Sequence, residues 1–398
     1  MALSLPIYMD HNATTPIDPR VLEVMMPYLT EHFGNAASRN HSFGWKADAA
    51  VDKARQQVAN LIGALPKDIV FTSGATESNN LAIKGAAQMC RRKGNHIVTS
   101  LMEHKAVIDP CRRLEEADCQ VTWLKGDGYG RVSPKEVDRA VTDKTILISI
   151  MAANNEVGTL NPIAQIGKVA RRRGVLFHTD ATQAAGRIPI DIDAMCIDLL
   201  SLSAHKICGP KGVGCLYVRR RGPPVHLTCQ IDGGGHERGM RSGTLNVPGV
   251  VGLGAAAEIV GCEMTDQAGR LTALRDRLTR GIMDGLDFVT LNGHPAHRLP
   301  NTANLSFAYV EGEALMMKIK DIAVSSGSAC TSTSLEPGHV LRAMGVSDAM
   351  AQSSIRFSLG RTTTSQEVDY VIDQVIKAVG ELRELSPLYE LAMEQARE

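Results

Sequence analysis

The sequence predicts an α/β protein in which a mostly parallel sheet is covered by helices and joined to a smaller α+β domain. Three observations predict it. From about residue 50 to residue 262, helical patterns alternate with short β-branched runs, the alternation that a parallel sheet with crossover helices produces. The residues just after these runs are rich in reactive side chains, as expected where ligands gather at the carboxyl ends of strands. After Glu263 the alternation stops. These shifts divide the chain into a large part, 16–262, and a small part made of 1–15 with 263–398. At 398 residues, two cores are expected rather than one.

Taken in order, Ile7 to Met9 reads as a strand that can join either part. Strands are then expected at Asp68 to Thr72, His96 to Ser100, Gln120 to Leu124, Thr145 to Ile150, Val175 to His178, Leu199 to Leu202 and Val213 to Val218. Beyond Glu263 come a long helix from Thr265 to Asp284, strands around Asn304 to Phe307 and Ile322 to Ser325, and an amphipathic helix from Gln366 to Leu385. Ser325 to Ser334 is crowded with serine, threonine, glycine and alanine and reads as a mobile loop.

Composition narrows the function classes. The 43 basic and 43 acidic residues cancel, which argues against a broad surface for nucleic acid or anionic lipid. No apolar run approaches the roughly 20 residues of a membrane helix. The N-terminal residues lack a charged region followed by a long apolar stretch, so a soluble, cytoplasmic protein is expected. Nine cysteines without a Cys-x-x-Cys pair argue against a disulfide framework or a structural zinc site.

The chemistry begins at Ser203-Ala204-His205-Lys206. A lysine delivered by a strand into a small-residue loop can condense with an aldehyde cofactor if its surroundings let it lose a proton. Alone, such a lysine is more often an ordinary solvated residue. Its company changes that. Phe71 to Asn80 runs from a strand through Gly74 into a helix, where the amides of Ala75 and Thr76 and the Thr76 hydroxyl suit a phosphate; a plain capped helix reads equally well in isolation. Asp180 ends a buried strand, where a carboxylate can keep a pyridine nitrogen protonated, although a cap or metal ligand would be the simpler reading by itself. His104 follows another strand and can lie on a cofactor ring and move protons. Asn155 and Gln183 can hydrogen-bond the ring's hydroxyl.

Together these stretches resemble the cysteine desulfurases of the NifS/IscS type, class I, within the fold-type I pyridoxal phosphate enzymes and the class V aminotransferase family. The resemblance runs nearly end to end and also takes in Tyr8 to Pro16, Asn154-Asn155-Glu156, Gly233 to Thr244, Ser325 to Pro337 and Ser354-Ile355-Arg356-Phe357-Ser358. It implies that pyridoxal 5'-phosphate is held by Lys206, with Asp180 on its nitrogen and Ala75, Thr76, Ser203 and His205 at its phosphate. Thr244 is implied to reach the phosphate of the neighbouring subunit, hence a homodimer. Arg356, with Asn155, is implied to bind the substrate carboxylate.

Cys330, in the loop at about 325–337, is implied to be the nucleophile that takes sulfur from L-cysteine as a persulfide, leaving L-alanine, while Lys206 and His104 move protons. The implied partners are an iron-sulfur scaffold protein or another sulfur acceptor, including tRNA or cofactor thiolation. No resident metal is implied; Cys330 can carry iron-sulfur cargo transiently through its persulfide. Rival readings are a selenocysteine lyase or aminotransferase that dispenses with Cys330, a non-catalytic sulfur scaffold, and a Cys330/His104 hydrolase. The end at Glu398, soon after Leu388-Tyr389-Glu390, leaves the acceptor open, and Cys208 stands where relatives more often carry a bulky side chain.

Overall fold

A computed structural model describes residues 3–326 and 338–395. Thirteen strands in the described residues form three sheets. They are β1 (Ile7–Tyr8), β2 (Ile69–Thr72), β3 (His96–Ser100), β4 (Gln120–Leu124), β5 (Thr145–Ser149), β6 (Leu176–Asp180), β7 (Leu199–Ser203), β8 (Gly214–Val218), β9 (Val289–Asn292), β10 (Thr302–Phe307), β11 (Ile322–Ala323), β12 (Ser325–Ser326) and β13 (Ser354–Ser358). The seven-stranded sheet has the order β2-β8-β7-β6-β5-β3-β4. Only β8 runs antiparallel to its neighbours β2 and β7. β2 therefore points the same way as β7, β6, β5, β3 and β4, and six carboxyl ends share one edge. Most strands of this sheet are buried on both faces, which is why they read as apolar, β-branched runs.

The smaller part is built on the antiparallel sheet β12-β13-β10-β9. The ambiguous N-terminal strand is settled by pairing: β1 lies parallel to β11, with Ile7 opposite Ile322. The run expected as one strand from Ile322 to Ser325 is two, and they serve different sheets.

The largest departure is the long helix. It spans Val247–Gly285, starting well before Thr265 and crossing residue 262 without a break. Asn246 caps it by accepting from Gly249 N. Its first half, from Val247 to Val260, belongs to the core shared with helix Ser42–Ile62, and its second half, through Leu271, Leu278 and Ile282, belongs to the core of the smaller sheet. At 39 residues it is a rod of roughly 60 Å. By length and composition it could also cross a bilayer, but half of its most apolar window is buried inside this fold.

Candidate active site

Five loops at the carboxyl edge of the large sheet close around a cavity of about 610 Å³. The loop after β2 contributes Ala75 and Thr76, that after β3 His104, that after β5 Asn155, that after β6 Asp180 and Gln183, and that after β7 Ser203, His205 and Lys206; Arg356 enters from β13. A larger cleft of about 770 Å³ opens near the amino ends of β5 and β6, beside Cys90 and Arg219, and gathers none of these residues. Thr244 is exposed and does not line the cavity of its own chain. Cys330 lies outside the described residues.

Lys206 sits in a short 3-10 turn that follows β7 directly. Its Nζ donates to the carbonyl oxygens of Asn12 at 2.5 Å and Ala13 at 2.6 Å. Burial, and then the guanidinium groups of Arg187 and Arg356, pull its pKa down to about 8 despite Asp10 and Asp180. The amine thus loses its proton far more readily than an ordinary lysine. Sequence reasoning missed what orients it. Asn12 is that residue: its carbonyl also accepts from Gln183 Nε2, and its Oδ1 accepts from Arg187 Nη1 at 3.0 Å. Asn12 and Asp10 both lie within the motif Tyr8 to Pro16, and that motif was the only signal.

Asp180 is 5% exposed. Its Oδ2 accepts from Asn79 Nδ2 at 2.7 Å and its Oδ1 from Thr182 N at 2.9 Å, so neutral donors fix the carboxylate, with no cation on it among the described residues. His104 caps helix Lys105–Glu115, its Nδ1 accepting from Ala106 N at 3.0 Å. That bond assigns the ring proton to Nε2. Burial lowers its pKa, outweighing Asp180, so the ring is neutral. The preceding Glu103 is fully buried; its Oε1 accepts from Ser100 Oγ and Met151 N, pinning the turn that presents His104.

Helix Ala75–Met89 is capped by Gly74, which has no side chain to satisfy the first-turn amides. Gly74 has φ +154°, and a Cβ there would point into the cradle, 3.8 Å from Ser203 Oγ. The His205 ring contacts Thr14 Oγ1 through Nδ1 at 3.1 Å and stays neutral, its pKa lowered to about 4 by burial and then by Lys206. Gln183 is committed on both sides, Nε2 to Asn12 and Oε1 to Arg187.

Residues 7–371 match the family described as aminotransferase class-V. The chain belongs to that family. Within the aminotransferase class-V family, it is 59% identical over 389 residues to the cysteine desulfurase IscS of Anaeromyxobacter dehalogenans, covering 98% of this chain and 96% of the relative. It is 57% identical over 391 residues to the IscS of Klebsiella pneumoniae subsp. pneumoniae, covering 98% and 96%. A solved NifS-like protein superposes with a TM-score of 0.87 at 38% identity over 94% of this chain and 99% of that one. The structure of SspA in complex with cysteine does so with a TM-score of 0.79 at 38% identity over 89% and 98%.

The chain is accordingly a pyridoxal phosphate-dependent enzyme with a NifS-like fold, and its residues fit that group. The uncapped amides beside Gly74 suit a phosphate, the cation-free Asp180 carboxylate suits a ring nitrogen, and Lys206 supplies the amine. Among the described residues the buried Asn155 Oδ1 and Thr182 Oγ1 have no partner; both residues line the cavity, as expected of groups kept for a ligand.

Proposed function

We propose that this enzyme is a cysteine desulfurase that converts L-cysteine to L-alanine and places the sulfur on Cys330 as a persulfide, for an iron-sulfur scaffold protein or another acceptor. The observation that carries the reading is the meeting, in one cavity, of a Lys206 amine that titrates near 8, the Asp180 carboxylate and the Arg356 guanidinium. When bound, pyridoxal phosphate supplies an aldehyde for amines and a protonated ring that draws electrons from the substrate's Cα. Lys206, Asp180, Ala75, Thr76, Ser203 and His205 would hold it.

The remaining steps belong to the chain. Arg356 and Asn155 orient the substrate carboxylate. Lys206 Nζ takes the Cα proton. The Cys330 thiolate attacks the substrate sulfur; an S–S bond forms, the Cβ–S bond breaks, and its electron pair stays with carbon. Two protons, one to Cβ and one back to Cα, moved by His104 Nε2 and Lys206 Nζ, complete alanine. L-cysteine and the Cys330 thiol thus become L-alanine and the Cys330 persulfide, with no further oxidant or reductant.

The exposed Thr244 supports a second element of the proposal, a homodimer in which each chain completes its partner's phosphate site. Cys90, Cys111, Cys119, Cys196, Cys208, Cys215, Cys229 and Cys262 are all free thiols, which suits the reducing cytoplasm. The test is purified enzyme given L-cysteine or L-selenocysteine in parallel, with alanine and the released chalcogen measured. Cysteine turnover that requires Cys330 supports the reading. Turnover of selenocysteine alone, or cysteine turnover unchanged in Cys330→Ala, contradicts it.

A further inference from the structure

Arg356 is already engaged by a carboxylate of its own chain. Its Nη2 donates to Asp10 Oδ1 at 2.7 Å and to Ser325 Oγ at 2.8 Å, and Ser325 Oγ donates to the same Asp10 oxygen at 2.9 Å. Its Nη1 donates to Asn155 O at 3.0 Å. Among the described residues its Nε is buried with no partner. The Arg356 and Asp10 side chains are 8% and 18% exposed, and the cavity reaches both Arg356 and Ser325.

A carboxylate held side-on by a guanidinium needs Nε and the Nη on the same side, which is Nη2; held end-on it needs Nη1 and Nη2. Either grip requires Nη2. The free Nε offers half of a side-on fork, and Asp10 with Ser325 takes the other half. We propose that Asp10 is a specificity-determining residue, a resident carboxylate that an entering substrate carboxylate displaces from Arg356 Nη2. This rests on reading Arg356 as the substrate-carboxylate arginine.

Two consequences follow from charge. Every entering carboxylate competes with one already in place, so affinity is lower than Arg356 alone would give. Asp10 also stays close after displacement, tethered through β1 and the Tyr8 hydroxyl, which donates to the Asp10 carbonyl at 3.1 Å. A ligand carrying a second carboxylate therefore meets a like charge and is rejected. The ligand class selected is the amino acid whose only carboxylate is the α-carboxylate.

The probes are propionate and succinate, which have neither amine nor thiol, titrated calorimetrically into the holoenzyme. Asp10→Asn keeps the shape and removes the charge. It is expected to bind propionate at least threefold more tightly than the wild type, to gain more for succinate than for propionate, and to lower KM for L-cysteine without raising kcat. Asp10→Glu, which restores the charge, returns both affinities toward wild type. Unchanged or weaker propionate binding in Asp10→Asn would reduce Asp10 to a prop for Arg356 and overturn the proposal while leaving the role of Arg356 intact. Arg356→Gln separates the two: if it binds propionate as well as wild type, the reading of Arg356 fails and the proposal falls with it.

Discussion

A carboxyl group buried with one oxygen left without a donor prefers to be neutral, and Glu103, whose Oε2 has no partner among the described residues, is the plainest instance here. Burial, against the bonds from Met151 N and Ser100 Oγ, raises its pKa from 4.5 to about 8. Between those values the folded chain binds the proton and the unfolded chain does not, so folding stability falls as pH rises from 4.5 toward 8 and levels off above it. Glu103→Gln removes that dependence. Its advantage over wild type in urea denaturation should grow by a few kcal/mol between pH 5 and pH 8; parallel stability curves for the two proteins would contradict a neutral Glu103. Lys206 is the mirror case. In protein freed of cofactor, the rate of recondensation with pyridoxal phosphate should rise through a midpoint near the lysine's pKa of about 8, followed by visible absorbance. A midpoint at the ordinary lysine value would mean that neither burial nor the guanidinium groups of Arg187 and Arg356 lower it.

At the scale of elements, the site depends on how β2 is held. The Arg55 guanidinium pairs with Glu237 at 2.7 Å, with side chains 9% and 2% exposed, and Glu237 Oε2 also accepts from Phe71 N in β2. One carboxylate thus ties helix Ser42–Ile62, strand β2 and the segment leading to Thr244. Glu237→Ala would leave Arg55 buried and unpaired and should cost about 3–5 kcal/mol in chemical denaturation. A loss below about 1 kcal/mol would show that water reaches Arg55.

The strands were legible because runs such as His96 to Ser100 are β-branched and apolar along their whole length. The start of Val247–Gly285 was not. A Cβ at Gly252 would lie 2.5 Å from Met25 Sδ, and one at Gly254 would lie 2.6 Å from Ala54 Cα. Those glycines let three helices approach closely, a tertiary reason invisible in local pattern. Asp10 was illegible as a functional residue for a similar reason, since its partner Arg356 lies 346 positions away in sequence.

For the whole molecule, the long helix joins two cores and the cavity lies where β13 of the smaller sheet meets the edge of the larger one. Arg270 on that helix donates to the carbonyls of Gly360, Arg361 and Thr363, locking the segment after β13 to the rod. The proposed dimer adds a further level of organisation. Coexpressed Lys206→Ala and Thr244→Ala subunits should yield mixed dimers with one complete site, recovering cofactor affinity that Thr244→Ala alone loses. No recovery in isolated mixed dimers would mean that Thr244 serves no partner site.

The central claim is that a lysine-anchored cofactor site and a cysteine elsewhere in the chain act together to move one sulfur atom. It is tested most directly by a single turnover of holoenzyme with one equivalent of L-cysteine, quantifying L-alanine and the mass of the peptide containing Cys330. The account predicts one alanine for each Cys330 peptide gaining one sulfur atom, with neither product in Lys206→Ala and no sulfur-bearing peptide or turnover in Cys330→Ala. Alanine formed at the wild-type rate in Cys330→Ala would contradict it.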